Sequence, residues 1–342
     1  MPLKLFRPVR YLIGPSLCYY FPYNLLKNRR ILLLGEVHVN NGFPQTPAIL
    51  EKSNEVHIWL MNLVKNSPEC IDLFVEHKYI SRTESHGEPI PFKQPTKLID
   101  YKTPLNAIRE TFLPCYTRDR QLKNICFDPN LRYHYVDVRT INENKWILSH
   151  IYDIDRVYYH KQGQIVDRKY QDFNDKTQLI GYLLGLNNNI SLMSEYAHDL
   201  LPSLAGIPEK LIAYRAIFLQ LMEEYFVKTT TSLDKPKFLK TILDIFINQK
   251  FLHYALICLP MDVYCLLRVF VTYKSDKLPM GPTGCVSNEY HKNIIIYGGF
   301  DHIQTYILFI KKYFQIQPID YSQKMDIYNQ FIDFKEPFRF FQ

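Results

Sequence analysis

Four short apolar runs, each breaking off into polar residues, constrain this chain more than any other feature of its 342 residues. They are Ile31–Leu34, Ile71–Val75, Tyr133–Val138 and Asn293–Tyr297. Continuous apolar character over four to six residues suits strands covered on both faces, as in a parallel or mixed sheet. Between the first two lies Thr46–Asn66, where Ile49, Val56, Leu60 and Leu63 recur at roughly helical spacing. That pattern predicts a strand–helix–strand unit. Ser81–Lys97 is polar, carries Pro89, Pro91 and Pro95, and reads as a surface loop.

From Lys176 to Val271 the periodicity turns helical, over Lys176–Leu186, Glu195–Leu201, Pro208–Lys228, Pro236–Leu259 and Asp262–Tyr273. Asp262, just after Pro260, suits an N-cap. The loop Ser275–Asn288 separates this block from the last apolar run, and Ile303–Phe314 closes the pattern as an amphipathic helix. The expected fold is α/β, with a mixed or mostly parallel sheet flanked by helices and a helical cap inserted before the final strand. The expected organisation is a first core segment at 1–175, the cap at 176–274 and the end of the core at 275–342.

Composition narrows the function classes. Hydrophobic residues at 47% supply a large core. The net charge of +7 is scattered rather than gathered in a run, so it does not point to a nucleic-acid partner. Seven cysteines are an odd number, and no Cys-x-x-Cys pair occurs. Neither a disulfide framework nor a zinc ribbon is expected, and an intracellular, reducing compartment (cytoplasmic) is the natural setting. The first twenty-one residues and Phe251–Val271 are apolar enough to suggest a leader or a membrane span. Pro15, Tyr19 and Tyr20 argue against the first, and Pro260, Asp262 and Arg268 against the second. Both read as buried protein, with no membrane span.

The polar residues gather where the apolar runs stop. Ile31–Leu34 leads into Gly35-Glu36-Val37-His38, so Glu36 and His38, two apart, face the same way if the backbone stays extended. The second run ends in Glu76 and His77, the third in Asp137 and Arg139, and the last in Gly298, Gly299, Asp301 and His302. In open α/β sheets ligands bind at the carboxyl ends of strands. Two Gly-x-x-His segments, Gly35–His38 and Gly299–His302, therefore mark the candidate cleft, with the glycines allowing close approach of a ligand or cofactor. His302 opens a helical pattern, whose positive end favours a neutral ring able to act as base or metal ligand. Structural alternatives exist: Asp301 with Gln304 fits an N-cap, Arg139 a buried ion pair with Glu36 or Glu76, and His77 an exposed position beside the loop.

These residues resemble the superfamily of erythromycin esterase, TraB/TIKI and ChaN-like proteins. GEVHVN is similar to the Gly-Glu-x-His opening of the ChaN-like branch, and NIIIYGGFDHIQTYILFI to the strand–Gly-x-x-His–helix closure of the group. MDVYCLLRVF is similar to a stretch in uncharacterised members from large DNA viruses, which implies host cytoplasm or virion as the setting. The resemblance implies a cleft with His38 and His302 as base or metal ligands, Glu36 and Glu76 as acids and Arg139 as the cleft arginine. Members include metal-dependent proteases, lactone hydrolases using a histidine base, and haem-binding proteins. One departure stands out: Glu76 is followed by His77 and Lys78, not by a second acid.

The expected function is hydrolysis of an ester, lactone or amide in a small-molecule or peptide substrate. His38, His302, Glu36 and Glu76 are the candidate ligands if a divalent metal, Mn or Zn, assists. The alternative is a non-catalytic protein that binds haem or another ligand, or serves in a virion.

Overall fold

In a computed structural model of the chain, the residues described are 9–26, 28–38, 53–78, 95–112, 130–138, 177, 180–188, 207–248, 252–272, 285, 290–322 and 330–341. The chain divides into two compact units, one formed by 1–136 with 273–342 and the other by 137–272.

The first unit is built on two sheets. Strand β1 (Val9–Ile13) is followed, across a turn at Gly14 with φ of 125°, by β2 (Leu17–Phe21), and then by β3 (Arg30–Glu36). Next come β4 (Ser53–Glu55), helix α1 (Val56–Lys65), β5 (Ile71–Lys78), helix α2 (Pro104–Phe112) and β6 (Leu131–Asp137). The chain leaves for the second unit and returns as β9 (Asn293–Gly299), numbered after two short strands described below. Helix α6 (Phe300–Phe314), β10 (Ile319–Asp320) and β11 (Phe331–Phe338) complete it.

The six-stranded sheet has the order β10-β2-β3-β9-β5-β6 and is parallel through its centre, where β9 pairs with both β3 and β5. Strands β2 and β10 extend it antiparallel. The α/β class expected from the sequence is the one observed. Every residue of β3 and of β9 is buried, which is why their sequences read as unbroken apolar runs. Alternation still sorts their side chains. Leu32, Leu34, Leu73, Val75, Ile295 and Tyr297 face a core shared with α1, α2 and the three-stranded sheet β11-β1-β4. On the opposite face α6 packs on the sheet, with Ile303 against Gly35.

Several expectations are corrected. Asn293–Tyr297 is not the last strand: it is central, and β10 and β11 follow it. The N-terminal apolar stretch forms β1 and β2, elements the sequence did not announce. Within the helix expected over Thr46–Asn66, Ser53–Glu55 is instead a strand paired in parallel with β1 and the helix α1 starts at Val56; residues 46–52 lie outside the described residues. Asp301 is not an N-cap; Gly299 occupies that position and Asp301 lies in the first turn of α6. The cysteine reading is also overturned, since Cys70 and Cys285 form a disulfide. The loop Ser81–Lys97 up to residue 94, the helix Glu195–Leu201 and the loop Ser275–Asn288, except Cys285, fall outside the described residues.

The second unit is mainly helical. Helix α3 (Ile207–Glu223) runs into a π-helical turn at Glu224–Lys228, and β7 (Thr230–Thr231) pairs antiparallel with β8 (Val271–Thr272). Asp234 caps α4 (Lys235–Phe246) by accepting a hydrogen bond from the Lys237 backbone N–H at 2.8 Å. Helix α5 (Leu252–Val269) passes through Pro260, so Asp262 is a buried interior residue and not an N-cap. No helix among the described residues is long and apolar enough to cross a membrane.

Candidate functional site

Insertion of β9 between β3 and β5 sets three parallel carboxyl ends side by side, with Glu36 in register with Gly299. Strands adjacent in sequence order are thereby separated in the sheet, and that break in order is where α/β sheets form a ligand crevice. Glu36, Glu76 and the Gly299 turn into α6 all stand at this end.

The two carboxylates lie on opposite faces of the sheet. Glu36 continues the Leu32–Leu34 face and is fully buried. Its Oε2 accepts a hydrogen bond from the Tyr297 hydroxyl at 2.7 Å, and the Leu105 backbone N–H, at the start of α2, donates to it as well. Glu76 shares its face with Asp72 and Phe74, and its Oε2 accepts from the Gly299 backbone N–H at 2.5 Å. His38, two residues past Glu36, straddles the end of the sheet and reaches both. Its Nδ1 lies 3.0 Å from Glu36 Oε1, and its Nε2 lies 3.7 Å from Glu76 Oε2. The His38 side chain is half-exposed, whereas Glu36 beneath it sees no solvent.

Gly299 makes this possible. A Cβ there would come within 2.7 Å of His38 Nε2 and 3.1 Å of Glu76 Oε2. Gly35 works differently: Leu17 and Ile303 fill the space beside it at 3.2 and 3.3 Å, so its missing side chain serves packing and leaves no room for a cofactor. His302, in the first turn of α6, is buried and places Nε2 3.4 Å from Glu76 Oε1. The two histidines thus flank one carboxylate, although 264 positions separate them in the chain. Arg139 lies outside the described residues. His77 is buried, not exposed beside a loop.

Electrostatics bind Glu36 and His38 into one protonic unit. Burial pushes the Glu36 carboxyl up, against the opposing hydrogen bonds from His38 and Tyr297. The His38 imidazole is also pushed up, chiefly by its hydrogen bond to Glu36 and further by the nearby charge of Glu76. Both shifts have the same sense: the pair holds its proton to higher pH than either group alone. Burial and the Glu36 charge raise Tyr297 well above the ordinary tyrosine range, so it stays a donor. Tyr297 is a partner of the candidate site that the sequence reading missed. Its signal was its place in β9, two residues before Gly299.

A second polar cluster occupies the opposite end of β5. Asp72 Oδ1 meets Arg132 Nε at 2.6 Å, His134 Nε2 at 3.0 Å and His291 Nδ1 at 2.7 Å, and its Oδ2 meets Arg132 Nη2 at 2.8 Å. All four residues are buried, and Phe74 stacks on His134 with ring centroids 4.2 Å apart. Burial alone would raise Asp72; Arg132, His291 and His134 together outweigh it and hold the carboxyl well below its ordinary range. Asp72, His134 and His291 each bring a ligand atom within 4.8 Å of the others, a group that can hold a metal ion. The bidentate guanidinium of Arg132 competes for the same carboxylate. His38, Glu76 and His302 form no such group of three as they stand.

No protein family, curated protein or solved structure matches the chain significantly.

Proposed function

We propose that the first unit hydrolyses an ester, lactone or amide bond, with His38 as the general base. One observation carries this reading: the His38 Nδ1 is held by fully buried Glu36, while the ring itself is half-exposed at the carboxyl end of the sheet. A carboxylate accepting from Nδ1–H fixes the tautomer in which Nε2 carries the lone pair. That nitrogen can take a proton from water as the water oxygen attacks the substrate carbonyl. It then returns the proton to the leaving alcohol or amine as the carbon–heteroatom bond breaks. One water is consumed and an acid and an alcohol, or an amine, are released.

In this reading Glu76 works on His38 from the other face. Its nearness favours the imidazolium that forms during attack, and the Gly299 N–H fixes its orientation. His302 supports Glu76 from α6 as the second acid or base of the site. Arg139, two residues past the end of β6, is the proposed stabiliser of developing negative charge. The resemblance to erythromycin esterase, TraB/TIKI and ChaN-like proteins supports hydrolysis of a small-molecule or peptide substrate. For a metal-assisted variant, His38 and His302 approach Glu76 without forming a mutual group of three ligand atoms as they stand, and no step is assigned to an ion.

The deciding experiment is a panel of activated esters, lactones and amides presented to the purified chain and to His38→Ala and His302→Ala. Hydrolysis by the parent that falls about 10²–10⁴-fold in His38→Ala at unchanged melting temperature supports the proposal. Equal rates in parent and His38→Ala refute it. Elemental analysis and a visible spectrum of the same sample distinguish stoichiometric Mn or Zn from a haem Soret band, which would mark the ligand-binding alternative.

A further inference from the structure

The end of the sheet remote from His38 carries a covalent tie. Cys70, immediately before β5, is bonded to Cys285, and both are buried. Three further contacts join the same two stretches of chain. His291 reaches Asp72, and the Asn293 side-chain amide donates to the Cys70 backbone oxygen and to the Glu69 carboxylate, each at 2.8 Å. Residues 285, 291 and 293 therefore all dock on residues 69–72. Once β9 has paired with β5, these contacts hold residues 291–293 against residues 69–72, a few positions from Cys285, and a pair of thiols brought close oxidises at a high effective concentration. Among the described residues Cys18, Cys258 and Cys265 are buried and stand outside any disulfide.

We infer that the chain is a substrate for thiol oxidation. Cys70 and Cys285 are joined while the sheet assembles, by exchange with an oxidised dithiol or a small-molecule disulfide. The two cysteines lose two protons and two electrons, the oxidant's disulfide bond breaks, and its two sulfurs leave as thiols. In the folded protein the bond is out of solvent, so it persists against reductants that act on exposed disulfides. The cross-link spans 215 positions and encloses the whole of the 137–272 unit. Long enclosed loops confine the unfolded chain most, so the bond acts as a staple on the entire molecule. It stands at the amino end of β5, whereas Glu36 and Glu76 stand at carboxyl ends, so it does not depend on the proposed hydrolysis.

The test is to refold the fully reduced chain in a glutathione redox buffer. The protein is then unfolded in denaturant with an alkylating reagent and no reductant, and its peptides are mapped by mass. The expected result is a cross-linked peptide pair containing Cys70 and Cys285, with Cys18, Cys258 and Cys265 alkylated, whatever the state of Cys115 and Cys126. The double variant Cys70→Ser/Cys285→Ser should melt lower by on the order of 10 °C while keeping the parent's near-ultraviolet circular dichroism below its transition. Alkylation of Cys70 and Cys285 in the refolded parent overturns the inference, as does pairing of either with another cysteine. An unchanged melting temperature in the double variant overturns the staple. If the double variant does not fold, the peptide map of the parent decides.

Discussion

The two ends of the central sheet hold similar residues in opposite states. At the amino end of β5, one aspartate meets an arginine and two histidines, all sealed from water. At the carboxyl ends, two glutamates meet two histidines, but His38 stands half in solvent and its Nε2 is 3.7 Å from Glu76. Saturation with charge-assisted hydrogen bonds makes the first end a structural joint. The second end leaves the His38 ring half-exposed, and the proposed chemistry is placed there for that reason. Residue type alone does not separate these roles. The exposure of His38 does.

The contrast can be broken most sharply at the joint. Asp72→Ala leaves the Arg132 guanidinium buried without its bidentate partner, and loss of one member of such a pair costs about 3–5 kcal/mol. Urea denaturation should show that loss, while the rate per folded molecule stays near the parent's. If Asp72→Ala abolishes turnover at full stability, the two ends have been assigned the wrong way round. The sign with pH is fixed as well. The folded-state Asp72 carboxyl lies below its unfolded value of about 3.9, so its stabilisation is complete above that pH and is lost as pH falls toward the folded value. Asp72→Asn should therefore flatten the fall of stability on acidification.

At the chemical end, Gly299→Ala should have the next largest effect. The added Cβ would sit 2.7 Å from His38 Nε2, and the half-exposed ring can swing away. Turnover should fall about 10²-fold or more with little loss of stability, read by kcat/KM beside a thermal melt. Glu36→Gln should act through pH. In the parent, kcat/KM rises as His38 deprotonates above the ordinary histidine range, because the Glu36 hydrogen bond raises it. Without that carboxylate the rising limb should move to lower pH, and a limb that stays put would detach Glu36 from His38. Tyr297→Phe is the mildest test. It removes one of several donors to Glu36, so a loss of about 1 kcal/mol, or several-fold in kcat/KM, is expected.

Much of this was legible along the chain, and for a local reason. Strands β3, β5 and β9 are covered on both faces, so their burial appears as short apolar runs that need no knowledge of their partners. The polar residues at their ends, Glu36, His38, Glu76 and His302, stood out because burial stops there. The helix through Pro260 and the strand at Ser53–Glu55 were misread for the converse reason: neighbours in space outweigh local propensity. Asp72 passed unnoticed inside an apolar run, since its partners Arg132 and His291 are distant in sequence.

The sequence by itself determined the class of fold and which polar residues stand at the strand ends, because burial on both faces and its abrupt end leave a local trace. Only the tertiary structure decided where β9 enters the sheet, that Glu36 and Glu76 reach His38 from opposite faces, and that Cys70 meets Cys285. Each of these is a contact across more than 200 residues, except the neighbouring pair Glu36–His38 and the Glu76 approach to it. Which distant segments pair is settled by the packing energy of the assembled sheet, a property that no stretch of chain carries alone.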